Sequence, residues 1–465
     1  MNSSNNTLAR RQWLMLAGAG VVTGLVPTLG WTDDHSESSR STATSTGRAV
    51  APAVTGLRGK IVVVGGGMAG VTAAKYLRMW GGAGLSITLV EPDKAYTSSI
   101  MSNMVLSGGR TLASLSYTHA KLQSNYAITV RRAALTAINT AGKQITLSDG
   151  SSLPYDRLVL APGVEFEDAY GLTQADYDTR TPHAWRAGPQ TQLLRNQLAG
   201  MTSGATFVMT IPKAPYRCPP GPYERACLVA DYVKRAKIPG AKVIVLDENP
   251  AIQAEAHTFN EAFTVIHSPV ISYRPGVSDI QINAATKVVT YSQAGVTNTI
   301  NAQVVNPIVP HRATGSSASG WMTAAGLANG TNGRWAKVNV LSYESTAVAG
   351  IHIIGDASQC GLPKAGHVAN QEAKICADAI VRLLSGSQPD SGPVANSACY
   401  SPITASTASW LTAVYQYDAA TGSMAVASNG GKTAGAAPTE SATISRKNFQ
   451  NMNVWFNTLM GDTFA

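Results

Sequence analysis

A glycine-rich turn between an apolar run and a helical pattern constrains this chain more than any other feature. Residues 60–70 read KIVVVGGGMAG, so Gly65, Gly67 and Gly70 form the pattern G-x-G-x-x-G. A buried strand, this turn and a helix over 71–80 are typical of a Rossmann βαβ unit. The first glycine allows the tight turn, the second lets a pyrophosphate approach the backbone, and the third permits close helix–strand packing. We therefore expect a dinucleotide site here, rather than a glycine-rich turn without a ligand.

The residues around the turn complete the predicted site. Residues 86–90 (SITLV) read as the second strand, and Glu91 follows that strand directly. A carboxylate at this place binds ribose hydroxyls in Rossmann units. Met68 and Ala69 lie between the second and third glycines, and we predict that they contact the same cofactor.

Two later strand endings indicate that the dinucleotide is FAD. Residues 158–163 (LVLAPG) and 350–356 (GIHIIGD) each read as a short strand followed by a turn. These endings are typical of flavoproteins with two Rossmann-like domains, in which the second ending binds the ribityl and pyrophosphate groups. We therefore expect an FAD domain that is split in sequence. The predicted contacts at the two endings are Ala161, Pro162, Gly163, Gly355 and Asp356.

The middle of the chain reads as a second Rossmann unit that has lost its nucleotide site. Residues 205–211 and 241–246 are its first two predicted strands. The segment between them begins PKAPYRCPPGPYER at 212–225, with prolines and bulky side chains where an NAD(P)H site needs glycines. Nicotinamide is therefore not the expected electron donor.

The N-terminus reads as an export signal. Arg10 and Arg11 precede an apolar stretch over 14–26, which is too short to span a bilayer. Paired arginines predict twin-arginine export to the periplasm; a Sec signal and a mitochondrial presequence are the alternatives. No other segment has 18 or more apolar residues, so we expect no integral membrane segment in the mature chain.

Composition excludes other classes of protein. The net charge of +9 is a thin excess, because only 14% of the residues are charged, and no basic block is interleaved with aromatic residues. Nucleic-acid binding is therefore not expected. The five cysteines form neither a CxxC pair nor a CxxCH motif, so we predict no zinc site, no haem in this chain and no other metal.

The cysteines fall into two groups. Cys218 lies in the proline-rich turn at the start of a predicted helix, where the helix dipole lowers the pKa of a thiol. Cys399 follows a Pro/Ser-rich connector. Cys227 and Cys376 lie on predicted helices and are expected to be buried, while Cys360 fits either group.

The chain resembles the flavoprotein subunit of flavocytochrome c sulfide dehydrogenase, a relative of the sulfide:quinone oxidoreductases. The resemblance covers about residues 58–465 and is most specific at 182–188, 216–226, 399–401 and 462–464. It implies an α/β fold with two Rossmann-like dinucleotide-binding domains and a C-terminal flavin and interface domain. The predicted divisions are a twin-arginine-type signal peptide (1–32), a Ser/Thr-rich linker (33–57), the first part of the FAD domain (58–180), a second Rossmann-like domain with a degenerate nucleotide site (181–310), the second part of the FAD domain (311–385) and the C-terminal domain (386–465).

The resemblance also implies a chemistry. Cys218 and Cys399 match the family's redox-active disulfide over the isoalloxazine ring, Glu224 matches a proton acceptor, and Trp455 matches a tryptophan near the flavin. Hydrosulfide then attacks the disulfide to give a persulfide, and the electrons pass to FAD and singly to the haem of a separate c-type cytochrome. The expected activity is an FAD-dependent sulfide dehydrogenase. Glu224 is alternatively a first-turn acid favoured by the helix dipole, or the partner of Arg225 in an ion pair.

Two positions depart from the family pattern. Ser99 occupies the place of the cysteine that binds FAD covalently, and Asn103 ends the same segment (YTSSIMSN, 96–103). Serine cannot form the thioether, so non-covalent FAD is expected. His367 replaces a tyrosine, which predicts either an acid–base group or a structural histidine. Lys364 is either a contact that stabilises the reduced flavin or a surface lysine.

Two other functions remain open at this point. One is a sulfide:quinone oxidoreductase that docks peripherally on a membrane, and the other is a non-catalytic flavin-binding partner of a cytochrome. The apolar stripe at 445–459 is short and flanked only by Arg446 and Lys447. A helix that packs on the core or the flavin is therefore favoured over a membrane-docking helix. The retained pair Cys218 and Cys399 argues against a purely structural partner.

Overall fold

The computed structural model describes residues 51–427 and 438–465. The predicted signal peptide, the linker residues 33–50 and the loop residues 428–437 lie outside the described residues. Across the two described ranges, every helix is too short or too polar to pass through a bilayer.

The strands are defined in chain order. They are β1 (Gly59–Val64), β2 (Leu85–Val90), β3 (Ala95–Thr97), β4 (Ser116–Thr118), β5 (Thr129–Arg131), β6 (Leu135–Asn139), β7 (Gln144–Leu147), β8 (Ser152–Pro154), β9 (Arg157–Leu160), β10 (Val164–Phe166), β11 (Thr206–Ile211), β12 (Lys242–Asp247), β13 (Ile271–Pro275), β14 (Ser278–Ile282), β15 (Val288–Gln293), β16 (Val296–Asn301), β17 (Val304–Pro307), β18 (His311–Ala313), β19 (Ala336–Asn339), β20 (Glu344–Ser345), β21 (Ile351–Ile353), β22 (Ser358–Gln359), β23 (Val394–Pro402), β24 (Ala408–Asp418), β25 (Ser423–Val426) and β26 (Thr439–Glu440).

The α-helices are α1 (Met68–Gly81), α2 (Asn103–Leu106), α3 (Ala120–Tyr126), α4 (Gln174–Thr179), α5 (Pro189–Ala199), α6 (Gly221–Arg235), α7 (Ala256–Glu261), α8 (Trp321–Ala324), α9 (Gly366–Leu384) and α10 (Arg446–Phe464). A π-helical turn (Ala262–Ile266) continues α7, and short 3-10 turns cover Ala113–Leu115, Thr331–Gly333 and Gly355–Ala357.

The first sheet has eight strands in the order β22-β19-β20-β21-β9-β1-β2-β5. Its centre is parallel, because β1 pairs in parallel with β2 and β9, and β9 pairs in parallel with β21. Residues 61–64 of β1 are all buried, as expected for a strand that is covered on both faces. Helices α1 and α9 pack against each other beside this sheet. The late strand β21 joins the early strands here, so this Rossmann unit is split in sequence.

The second parallel sheet has the order β13-β12-β11-β17. Its apolar strand residues, among them Phe207, Met209 and Val243, belong to a hydrophobic core that is distinct from the core of the first sheet. The predicted strands at 205–211 and 241–246 correspond to β11 and β12. The predicted fold class, with two Rossmann-like units and a C-terminal domain, is confirmed.

The C-terminal part is an antiparallel sheet covered by α10. Strand β24 pairs with β23, β25 and β26. Met452, Phe456 and Leu459 of α10 are buried in the first core, so the apolar stripe predicted at 445–459 packs inward. Near its end, Asp462 accepts a hydrogen bond from the Tyr76 hydroxyl at 2.6 Å and pairs with the Lys374 ammonium at 2.9 Å. These contacts tie α10 to α1 and α9 and so fix the orientation of its inner face.

Candidate functional site

A deep cleft lies where the two Rossmann units and the C-terminal sheet meet. It holds about 1270 Å³ of empty space, part of it open to solvent. Most residues predicted from the sequence line it, and the others lie behind its walls. The lining residues among them are Gly67, Met68, Ala69, Ser99, Asn103, Ala161, Gly163, Cys218, Glu224, Gly355, Asp356, His367, Cys399 and Trp455.

The three glycines of the turn have different surroundings. Gly65 has φ +104°, and a Cβ there would lie 2.2 Å from the Ala161 carbonyl oxygen. A Cβ on Gly70 would lie 1.8 Å from the Gly65 carbonyl oxygen. A Cβ on Gly67 would meet only the Tyr96 ring, at 3.6 Å, and would point into free space beside the cleft. One side of the turn is therefore packed and the other is open to a ligand.

Several features of this end of the cleft fit a dinucleotide. Helix α1 begins at Met68 with no acidic residue in its first turn, so its positive end is available to a pyrophosphate. The Trp455 Nε1–H is buried and has no hydrogen-bond partner among the described residues, so it can donate to a bound group. Glu91 accepts the backbone N–H of Gly66 at 2.5 Å and that of Asp93 at 2.8 Å, so it also holds the turn.

Substitutions at two of these glycines should separate packing from cofactor binding. Gly70→Ala forces the turn apart, so we expect the free energy of unfolding to fall by about 3 kcal/mol. Gly67→Ala has room in the polypeptide but fills the open side, so its melting temperature should stay near that of the wild type while the flavin content falls. Thermal unfolding and the ratio of flavin to protein absorbance measure both effects. Equal flavin content in Gly67→Ala and the wild type would contradict the assignment of the site.

Cys218 lies before α6 in a left-handed conformation, with φ +59°. Its N–H donates to the Lys364 carbonyl at 2.7 Å, and its carbonyl accepts the Gly221 N–H at 3.0 Å. The prediction that a helix start lowers the thiol pKa is wrong. Burial, followed by the charge of Glu224, raises the pKa of Cys218 to about 12, although Arg217 acts in the opposite direction. Burial is the largest of these causes, and Cys218 lies three residues before the first residue of α6, outside the turn in which the helix dipole acts most strongly.

Cys399 faces the same cleft from β23. Burial raises the pKa of its thiol well above the usual range, and the nearby Cys218 contributes to the increase. Both thiols are half-buried and free in the structure. The fold therefore brings together two cysteines that are far apart in sequence. Cys227 and Cys376 are fully buried away from the cleft, as predicted, and Cys360 is buried with its thiol 3.3 Å from a Glu372 carboxylate oxygen.

Glu224 points into the cleft from the first turn of α6. Burial raises the pKa of its carboxyl to about 8, while the Asn103 amide and Arg225 oppose the rise. The Asn103 side chain donates to Glu224 Oε1 at 2.9 Å and accepts from Arg225 Nε at 2.8 Å. Asn103, predicted as a cofactor contact, thus also holds the glutamate in place. The other donors of the Arg225 guanidinium bind the carbonyls of His183 and Ala184 and the side-chain oxygen of Asn306.

His367 is the second residue of α9, lines the cleft and is almost fully buried. Burial and the charge of Lys374 lower the pKa of its ring to about 4. Its Nδ1 accepts the backbone N–H of Ala398 at 2.9 Å, so the neutral ring carries its proton on Nε2. The ring is therefore not a group that titrates near neutral pH, and the structural alternative agrees with its contacts. By holding Ala398, it positions the neighbouring Cys399.

Ser99 and Lys364 have polypeptide partners. The Ser99 hydroxyl lines the cleft and accepts the N–H of Ala187 at 3.3 Å. The Lys364 ammonium donates to the carbonyls of Asp356 and Ser358 at 2.8 Å each. It also lies 3.8 Å from the centre of the Trp335 ring, so it is turned away from the main cleft.

Arg217 and Trp185 also line the cleft, although neither was predicted as a site residue. The Arg217 guanidinium lies 3.8 Å from the Asp356 carboxylate, and the Trp185 indole donates to the Arg217 carbonyl at 3.1 Å. The signal was available, because both residues lie within the stretches 182–188 and 216–226 that carry the family resemblance.

Three family profiles match the sequence. Residues 191–310 match the central part of the "sulfide dehydrogenase [flavocytochrome c] flavoprotein chain". Residues 391–464 match the flavin-binding part of flavocytochrome c sulphide dehydrogenase. Residues 59–195 match the pyridine nucleotide-disulphide oxidoreductases.

Solved structures with this fold include several oxidoreductases. The sulfide:quinone oxidoreductase from the hyperthermophilic bacterium Aquifex aeolicus has a TM-score of 0.69 at 15% identity, over 87% of this chain and 91% of that chain. An NAD-dependent persulfide reductase from A. fulgidus has a TM-score of 0.57 at 14% identity, over 87% and 77%. A ferredoxin reductase from Rhodopseudomonas palustris has a TM-score of 0.55 at 20% identity, over 76% and 82%. At these identities the similarity establishes the fold alone.

Proposed function

Because the chain belongs to the family of flavocytochrome c sulfide dehydrogenase flavoprotein chains, we propose that it oxidises sulfide, or a related reduced sulfur species, with FAD as its cofactor. The observation that carries the proposal is the composition of the cleft. Cys218, Cys399 and Glu224 line the same cavity as the glycine turn at Gly67 and the unpartnered indole of Trp455. FAD, when bound, supplies an acceptor for the electron pair of the sulfur substrate.

The two cysteines supply the covalent step. In the oxidised enzyme they form a disulfide across the cleft, and the hydrosulfide sulfur bonds to one of them as the Cys218–Cys399 bond breaks. One cysteine then carries a persulfide, and the other leaves as a thiolate. The Arg217 guanidinium, which lines the cleft next to Cys218, attracts the anionic substrate and stabilises the negative charge of the leaving thiolate.

Glu224 accepts the proton of the bound sulfur species. It lines the cleft beside Cys218, and the pKa of its carboxyl, about 8, lies near the pH at which such an enzyme works. Asn103 keeps one carboxylate oxygen fixed by its amide, so the other oxygen is free to face the substrate.

A c-type cytochrome in a separate chain is the proposed electron acceptor, and the periplasm is the proposed location. The sequence has no CxxCH motif for a haem of its own, and Arg10 and Arg11 precede the apolar stretch that predicts an export signal. The alternative acceptor, a membrane quinone, would favour an exposed apolar stripe on the last helix. That stripe instead packs into the core through Met452 and Phe456.

Anaerobic addition of sulfide to the purified protein tests the proposal. The flavin absorption band should bleach, and it should return when cytochrome c is added. Reoxidation by a soluble quinone but not by cytochrome c would favour the quinone reductase instead. A band that sulfide leaves unchanged would contradict both enzymatic functions and favour the non-catalytic partner.

The flavin should be bound without a covalent link, since Ser99 occupies the place of the family's cysteine. We expect urea or acid precipitation of the protein to release the flavin completely into the supernatant. Ser99→Cys provides the comparison, because it restores a thiol at the same place on the cleft wall. Yellow colour retained on the denatured wild-type chain would show a covalent bond at another residue.

A further inference from the structure

One buried carboxyl behind the cleft has no role in the chemistry proposed above. Glu255, the residue before α7, is 2% exposed. Its Oε1 accepts the Ser401 hydroxyl at 2.7 Å. Its Oε2 is buried and has no hydrogen-bond partner among the described residues. A buried carboxyl with a free oxygen is costly, so its retention calls for a function.

The C-terminal sheet places Glu255 next to the reactive cysteine. Cys399 on β23 lies opposite Leu411 on β24, and Leu411 lies opposite Glu440 on β26. Adjacent strands are about 4.8 Å apart and opposed residues share a face, so the Cys399 and Glu440 side chains emerge on the same face, two strands apart. Ser401 follows Cys399 by two residues and therefore shares this face. Glu255 therefore accepts a hydrogen bond from a residue on the same face of the sheet as the Cys399 thiol.

Glu440 connects this region to the outside. It is partly exposed, and its Oε1 accepts the backbone N–H of Thr258, in the first turn of α7, at 2.5 Å. The Thr258 hydroxyl in turn lies 2.8 Å from the Ser409 hydroxyl on β24. Ser409 lies opposite Ser401, the residue that donates to Glu255, so Glu255 and Glu440 lie at the same end of α7 with hydroxyl groups between them.

Glu224 lines the cleft, and its charge acts on Glu255. Both carboxyls influence the thiol of Cys227, one turn after Glu224 on α6. The groups that face Glu255 are Glu224 on α6, Cys399 and Ser401 on β23, Ser409 on β24 and Glu440 on β26. Burial first, and then the charges of Glu440 and Glu224, raise the pKa of Glu255 to about 8, against the hydrogen bond from Ser401.

We propose that Glu224, Glu255 and Glu440 form a proton-exit path from the cleft to the surface. The inference rests on the proposed function, in which each S–H bond that is broken in the cleft releases one proton. That proton passes to Glu224, a proton moves from Glu224 to Glu255 and from Glu255 to Glu440, and Glu440 releases one to water. The electron pair of the broken S–H bond first remains on the sulfur and then passes to FAD and the cytochrome, so the path carries protons alone. Ser401 orients the middle carboxyl.

Glu255→Gln is the direct test, because glutamine keeps the hydrogen bond from Ser401 but cannot carry the proton. The flavin-loaded protein is mixed anaerobically with sulfide and an excess of oxidised cytochrome c in weak buffer containing a pH-indicator dye. The cytochrome is needed because the two-electron reduced flavin takes up one proton, which is given back only when the flavin is reoxidised. We expect proton release to be at least tenfold slower than in the wild type, with unchanged flavin content and melting temperature. Glu261→Gln is the matched control, since Glu261 ends the same helix but is exposed. Proton release at the wild-type rate in Glu255→Gln would overturn the path.

A second variant and a second measurement keep the two proposals distinguishable. If Glu255→Gln does not fold, Glu440→Gln, at a partly exposed position, should slow proton release severalfold, and no slowing would overturn the path. If sulfide bleaches none of the proteins, the proposed function fails. Infrared spectroscopy then still tests the path. A protonated carboxyl band, missing in Glu255→Gln, should disappear as the pH rises and should exchange quickly in D₂O. A band that is absent, or that exchanges no faster than the buried amides, would overturn it.

Discussion

Cys218→Ser should keep its flavin and lose reduction by sulfide, with a rate constant lower by roughly 10³-fold or more, as expected when a covalent catalytic group is removed. A serine hydroxyl cannot form a disulfide with Cys399, so the substrate has no sulfur to attack. The substitution is nearly isosteric, and the backbone bonds from Cys218 to Lys364 and Gly221 do not depend on the side chain. The flavin end of the cleft should therefore be unchanged. Stopped-flow absorbance after anaerobic mixing measures the loss.

Two further variants make this result specific. Cys399→Ser should lose the reaction to a similar extent, because either cysteine alone leaves no disulfide. Cys227→Ser is the control, since Cys227 is fully buried on α6 and does not line the cleft. It should be somewhat less stable but still be reduced by sulfide. Normal reduction of Cys218→Ser would rule out the disulfide and leave direct attack of sulfide on the flavin as the remaining route.

Local patterns predicted the fold around the glycine turn well. The strand, turn and helix around Gly65 are adjacent in sequence, and the steric demands on the three glycines follow from the turn itself. The predicted strands near 158–160 and 350–354 became β9 and β21, which pair in parallel in the first sheet. The sequence order of apolar runs and glycine turns was enough for this part of the fold.

The end of the cleft that holds Cys218 and Cys399 depends on contacts between segments that are far apart in sequence, and local patterns do not predict such contacts. Cys218 and Cys399 meet because β23 of the C-terminal sheet passes the start of α6, and only the family resemblance indicated that pairing. The thiol pKa of Cys218 was predicted in the wrong direction, because a rule for exposed helix starts neglects desolvation in a deep cleft. Sequence analysis also missed Glu255, because its neighbours come from four separate elements that are distant in sequence.

Glu224→Gln should change the pH dependence of flavin reduction. The Glu224 carboxyl has a pKa of about 8, and only its ionised form accepts a proton. At pH 7 roughly one-tenth of the protein carries that form, and at pH 9 roughly nine-tenths does. The rate constant for reduction at saturating sulfide should therefore rise roughly tenfold between these values in the wild type. The glutamine variant should be slower and lack this rise. It experiences the same ionisation of the substrate, so the ratio of the two rates isolates the protein group.

Asn103→Asp should raise the pKa of Glu224, and the hydrogen bonds of Asn103 give the reason. It keeps an acceptor for Arg225, but it replaces the amide donor to Glu224 with a negative charge. Both changes disfavour the ionised form of Glu224, so its pKa rises and the increase in rate moves to higher pH. Because the group reacts as a base, the variant should be slowest relative to the wild type near pH 7 and should approach it as the pH increases. If this variant and the wild type give the same pH profile, Glu224 is not the group that titrates, and its carboxyl only shapes the cleft.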